Sequence, residues 1–290
     1  MKIKPIVYLC LVAALASCSK QNVTPAPSGD EELVPIVFNV SGLDTEVVTK
    51  TSELTELNTF NVLCTTGSAG SETSVWSIPS VNKNGTEYST GKYWPITNPS
   101  YNFYASNVGM TFKSQGSVIT PAGMDTDIVV AYRANAQYKT TNNLTFRHIF
   151  SRIGNVTVQS PEGYEAYDVS ITITPRVANG TTTVYDIRNN TWSNAVDGSV
   201  QTICNVADAT VLNDIWLVPG DYSLSATYSL RKGEWVDTAI KKTAPVNLQI
   251  GKVNNITCTL PSGNASEIVF NVTLEPWIQK SVTASFIYNG

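Results

Sequence analysis

A single histidine, His148, bounds the catalytic chemistry available to this chain of 290 residues. A Ser-His-Asp relay or a histidine-based metal cluster would have to rest on that one side chain. It lies in the apolar run Phe146–Phe150, where a packed, hydrogen-bonded histidine is the expected role. Two carboxylate pairs, Asp125/Asp127 and Glu162/Glu165, could in principle do the paired acid–base work of glycoside hydrolysis. Spacing along the chain does not bring either pair to a shared site, and solvated loops account for them more simply. The patterns G-x-S-x-G, H-E-x-x-H, a phosphate-binding loop and Cys-x-x-Cys are absent. No catalytic residue, metal site or cofactor is expected. Nucleic acid is excluded as a partner by 19 basic against 23 acidic residues, with no basic cluster.

The cysteines carry chemistry of another kind. Lys2 and Lys4, the apolar run Ile6–Leu15 and small residues thereafter make residues 1–17 a cleaved targeting segment. Leu15-Ala16-Ser17-Cys18 resembles the bacterial lipobox, in which the thiol of Cys18 takes a diacylglyceryl group and becomes the mature N-terminus. That anchor would hold the protein on a membrane while the rest stays in water. Residues 18–33, rich in Ser, Pro and polar side chains, read as a flexible tether. Of the remaining thiols, Cys204 and Cys258 share the second half of the chain and are the pair most able to join. Separate buried thiols in strands are the default for Cys64, Cys204 and Cys258.

The elements that must position any site are strands. In VPIVFNVSGLDTEVVTK (34–50), Ile36, Phe38 and Val40 point one way while Val37, Asn39 and Ser41 point the other. Gly42 and Asp44 break the pattern, and Lys50-Thr51 follows in chain expected to be exposed, a candidate processing point. The pentapeptide IVFNV recurs at 268–272. Further runs follow at Leu57–Cys64, Asp127–Tyr132, Leu144–Phe150, Asn155–Val158, Ala166–Thr174, Thr181–Ile187, Ile215–Val218, Tyr222–Leu230, Ala244–Ile250, Asn255–Leu260, Ile268–Leu274 and Val282–Tyr288. No window carries the apolar spacing of a substantial helix. The composition agrees, with charged residues at 14% against about 25% in an average soluble domain. Many short strands joined by turns predict an all-β chain of sandwiches. Its length fits two in series, 34–152 and 153–290, joined near Gly154. The aromatics of Gly91–Asn107, among them Tyr93, Trp94, Tyr101, Phe103 and Tyr104, fit a sandwich core, with a sugar-stacking platform as the other reading.

Several segments in a fixed order carry a family resemblance. Tyr93-Trp94-Pro95 precedes Phe103-Tyr104-Ala105, then Asp127–Ala131 (DIVVA), then L-x-F-x-H-x-x-S-x-I from Leu144 to Ile153. Asp214–Leu224 (DIWLVPGDYSL), the Gly251-Lys252 turn and Val272–Trp277 (VTLEPW) follow. This arrangement resembles the fimbrillin family of bacterial pilus subunits and anchors, lipoproteins built from two transthyretin-like, Greek-key β-sandwiches. The resemblance implies a stalk, tip or anchor subunit of a cell-surface fimbria. Its partners would be other subunits, the outer membrane through the lipid at Cys18, and a host or bacterial surface receptor. It also implies that the strand bearing Ile36, Phe38 and Val40 is removed by cleavage and replaced by a strand from another subunit. The preferred donor is the tail, where Val282, Ala284, Phe286 and Tyr288 alternate; Ile268–Leu274 is the other candidate. One departure stands out. The family's cleavage site is usually an arginine, whereas Thr49-Lys50-Thr51 offers a lysine, which lacks the guanidinium fork an arginine-specific protease reads. A different protease then acts, or the strand stays. The function from another class is a surface glycan-binding lipoprotein of a nutrient-uptake system.

Overall fold

The computed structural model describes residues 33–42, 57–95, 97, 99–113, 116–120, 126–176, 184–193, 201–205, 210–211, 215–261 and 268–276. Cys18, Lys50, Thr51, Asp125, Val282, Ala284, Phe286 and Tyr288 lie outside them. Among the described residues every regular element is a strand. The first ten are β1 (Pro35–Ser41), β2 (Thr59–Thr66), β3 (Thr73–Asn84), β4 (Glu87–Tyr93), β5 (Tyr101–Ser106), β6 (Thr111–Lys113), β7 (Gly116–Ile119), β8 (Val129–Ala136), β9 (Asn142–Thr145) and β10 (Arg147–His148). Then come β11 (Ser151–Gln159), β12 (Glu165–Pro175), β13 (Val184–Asp186), β14 (Thr191–Ser193), β15 (Gln201–Asn205) and β16 (Thr210–Val211). The last are β17 (Ile215–Leu217), β18 (Gly220–Lys232), β19 (Trp235–Leu248), β20 (Lys252–Thr259) and β21 (Val269–Pro276).

Eight strands of the first half form one sheet in the order β10-β8-β5-β2-β3-β4-β1-β9, folded over on itself. The fold lies at the β3–β4 hairpin, whose strands pair only at its tip, Asn82–Asn84 with Glu87–Ser89. Beyond it β3 stays with β2, and β4 departs to pair with β1. Two layers result, β10-β8-β5-β2-β3 and β4-β1-β9. The chain itself closes the far side. The expected strand Leu144–Phe150 splits at Phe146, with β9 pairing with β1 in one layer and β10 with β8 in the other. Between the layers Ile36, Phe38, Phe60, Val62, Phe103, Val129, Leu144 and Phe146 form an apolar cluster. Burying such side chains contributes about 1.5–3 kcal/mol each.

In the second half, β17-β11-β20-β21 and β16-β15-β12-β18-β19 form two sheets. A second cluster fills the space between them, with Tyr222, Leu224, Ala226, Tyr228 and Leu230 alternating inward along β18. The sequence places a break at Gly154, but β11 runs through it. A side chain there would meet Asn255 Oδ1 at 2.3 Å and Val253 Cγ1 at 2.6 Å, so this glycine serves close packing of β11 on β20.

A third cluster draws on both halves: Leu63, Tyr104, Ile128, Val130, Ile149 and Phe150 meet Tyr185, Ile187, Trp216 and Val218. Over it lies a small sheet, β14-β13-β7-β6, built of one hairpin from each half. This explains why β5 is buried on both faces: Phe103 points to one cluster and Tyr104 to the other.

Cys64, in the first cluster, is a free thiol whose pKa burial raises far above its ordinary value. Iodoacetamide is therefore expected to leave Cys64 unlabelled in the folded protein and to modify it on unfolding in urea. Fast labelling in native buffer would contradict the buried position.

Candidate functional site

The pattern Ile-Val-Phe-Asn-Val suits a strand with one buried face, and β1 uses it that way. Ile36 and Phe38 are fully buried, Val40 is half-buried, and Asn39 and Ser41 are exposed. Phe38 sets its ring edge-on to Phe103 at 4.9 Å and tilted to Phe60 at 6.4 Å. Both edges of β1 are occupied. Val37 and Phe38 pair antiparallel with Ser89 and Tyr88 of β4. Phe38, Asn39, Val40 and Ser41 pair in parallel with Asn142, Asn143, Leu144 and Thr145 of β9. Side chains reinforce both seams: Thr90 Oγ1 donates to the Ile36 carbonyl at 2.7 Å, and Asn142 Nδ2 to the Val37 carbonyl at 3.3 Å. Thus β1 is the middle strand of a three-stranded layer. Taking it out would open a slot lined by two unpaired backbone rows above an aromatic floor.

The slot ends at Gly42. The Phe146 amide donates to the Ser41 carbonyl at 2.8 Å, and the chain then turns sharply with φ of +91° at Gly42. A Cβ there would stand 2.2 Å from the Phe146 carbonyl oxygen. Gly42→Ala is therefore expected to cost about 1–3 kcal/mol, from backbone strain together with the clash, read as a lower urea midpoint. An unchanged midpoint would mean that the backbone at Gly42 can clear the Phe146 carbonyl without cost. The sequence marks Gly42 as a break but does not reveal that Phe146, at the crossing between β9 and β10, is what the glycine must clear.

The other residues singled out from the sequence are dispersed. His148 is buried, with Nδ1 2.9 Å and 3.0 Å from the two carboxylate oxygens of buried Asp127. Glu165 pairs instead with Arg231 at the surface, and Glu162 is exposed. Of the aromatics, Trp94, Tyr101, Phe103 and Tyr104 are core residues, while Tyr93 is 52% exposed.

A feature without any sequence signal is the buried carboxylate of Glu72, side chain 0% exposed, which sits 2.6 Å from an Arg188 guanidinium nitrogen. Asn102 Nδ2 donates to Glu72 Oε1 at 2.7 Å and the Tyr104 hydroxyl to Oε2 at 2.8 Å. Burial, against the pull of Arg188, raises the Tyr104 pKa above its ordinary value and keeps it a neutral donor. These partners are far apart in sequence, which is why periodicity and motifs do not find them.

Comparison with known proteins agrees with this architecture. No curated protein matches the sequence. Solved structures do: a fimbrial protein from Bacteroides vulgatus superposes with a TM-score of 0.57 at 15% identity, over 85% of this chain and 99% of that one. A candidate cell-adhesion protein from Bacteroides ovatus gives 0.51 at 12% identity, over 87% and 100%. Another, from Parabacteroides distasonis, gives 0.51 at 9% identity, over 84% and 100%. At such identities these likenesses speak for the fold. The family model described as Fimbrillin-like matches residues 44–277, most of the chain, and the protein is a member of the fimbrillin-like family.

Proposed function

We propose that this protein is a structural subunit of a cell-surface fimbria, stalk, tip or anchor, that joins its neighbours by exchange of its first strand. The observation that carries this reading is the place of β1, paired on both edges and filling the core with Ile36 and Phe38. A strand held this way is costly to lose and is replaceable only by another with the same inward alternation. Cleavage between Lys50 and Thr51 would release it. The replacement is the tail of a second copy, with Val282, Ala284, Phe286 and Tyr288 in the places of the lost apolar residues. The twin segment at 268–272 is less suited, because β21 already pairs with β20 and Ile268 is buried in the second cluster. In this reading residues 34–152 form the acceptor sandwich, 153–290 the donor sandwich, and a lipid on Cys18 holds the precursor at the outer membrane.

The reading is of a structural protein rather than an enzyme. A glycan-binding role loses most of its aromatic platform, since only Tyr93 of the five aromatics between 93 and 104 is strongly exposed. The test is the N-terminal sequence and intact mass of the protein from washed cells and from sheared surface polymers. Chains beginning at Thr51 in the polymers are expected. Chains beginning only at acylated Cys18, confined to membranes, would overturn strand exchange.

A further inference from the structure

The hairpin Val184–Ser193 belongs by sequence to the second half of the chain, lying between β12 and β15. Among the described residues, its polar contacts beyond the hairpin itself go to the first half. Tyr185 and Asp186 pair with Ile119 and Val118 of β7, and the Ile187 amide donates to the Ser117 carbonyl at 3.1 Å. Arg147 donates through its guanidinium to the Ile187 carbonyl at 2.6 Å. Trp192 Nε1 donates to the Ile149 carbonyl at 2.9 Å, and its ring stacks on Phe150 at 5.3 Å. At the turn, Arg188 reaches the buried Glu72, donates to the Tyr104 hydroxyl at 2.9 Å through Nε, and lies over the Tyr104 and Tyr132 rings. Tyr185 and Ile187 are fully buried.

A hairpin that only capped its own sandwich would not need a desolvated arginine aimed into the other half. Burying that cation is favourable only while Glu72 and Tyr104 stay in place around it. The bonds also cannot open singly, because the ladder to β7, the Trp192 stack and the ion pair are fixed on one ten-residue element. We propose that Val184–Ser193 is a strap that couples the two halves into one cooperative unit, with Arg188 as its anchor. Without it the halves would meet through the remaining apolar contacts, the chain crossing between β10 and β11 and the hydrogen bond that the Gly251 amide donates to the Phe150 carbonyl there, and each would open on its own. The inference does not depend on strand exchange.

Two thiols of the protein itself provide the readout, since Cys64 lies in the first cluster and Cys258 in the second. In the full chain, thiol labelling across a urea series, read at each cysteine by peptide mass, should give one shared midpoint. In Arg188→Leu the two midpoints are expected to separate. At intermediate urea one thiol should react about tenfold or more faster than the other, as in sub-global opening. A merely destabilising change would lower both midpoints together, and that result would overturn the proposal. So would two distinct midpoints in the unaltered protein. If Arg188→Leu does not fold, Arg188→Lys keeps the charge but loses the planar fork; it must show the same separation, or the proposal fails.

Discussion

Phe38→Ala lowers the unfolding free energy by about 3–5 kcal/mol, whereas Asn39→Ala next to it changes it by about 0.5 kcal/mol or less. Such is the expected result of urea titrations of the two variants. The contrast follows from the phase of β1. Phe38 is fully buried against Phe60 and Phe103, in a layer backed by five further strands. Truncating it leaves a ring-sized void that aromatic neighbours, fixed on strands, cannot close. Asn39 faces outward, and its amide reaches Asn143 Oδ1 only at 3.4 Å. Equal effects at the two positions, or a loss below about 1 kcal/mol for Phe38, would show that β1 is not part of the core. The slot reading would go with it. A change in the slope of the titration, as opposed to its midpoint, would instead report a variant already opened around β1.

The second large effect is at Glu72. Glu72→Ala should cost about 3–5 kcal/mol, the range for breaking a buried ion pair from one side. Arg188, with a side chain only 11% exposed, would keep its charge and lose its counterion. Asn102 and Tyr104 would each lose an acceptor. Replacing both charges together, as Glu72→Leu with Arg188→Leu, should recover much of that loss, because no ion remains stranded in the apolar cluster. A double-mutant cycle on urea midpoints measures the coupling. A coupling near zero would mean that solvent reaches Arg188 well enough to replace its partner.

How far these features can be read from residues alone depends on how local they are. The all-β class, the inward phase of Ile36 and Phe38 and the alternation of Tyr222–Leu230 are local, since side-chain direction in a strand repeats every two residues. The structural role of His148 also follows from its apolar neighbours, although Asp127 as its partner does not. What stays hidden is pairing between distant segments. Leu144–Phe150 reads as one strand because its residues are uniformly suited to β structure. It is two because Phe146 sits where the chain passes from one layer to the other, a fact of topology and not of propensity. Gly154 reads as a break because glycine weakens strands. It is retained inside β11 because Val253 and Asn255 leave no room for a side chain. Glu72 and Arg188 carry no local signal, because the two charges meet only when both halves are assembled.

The parallel seam between β1 and β9 joins residues 104 positions apart, as the Asn39–Asn143 and Ser41–Thr145 contacts record. Closing so long a loop costs chain entropy before any contact returns it, so this seam forms slowly. A chain emerging N-terminus first must therefore carry β1 unpaired on that edge until β9 has been made. Strands β2, β3 and β4 can meanwhile join through short connections, and β4 alone can offer β1 a provisional partner. Among the strands of the first half, the earliest to be synthesised is thus among the last to be locked. In that interval the place beside β9 is open to any strand of matching pattern, so timing as well as affinity decides which one fills it.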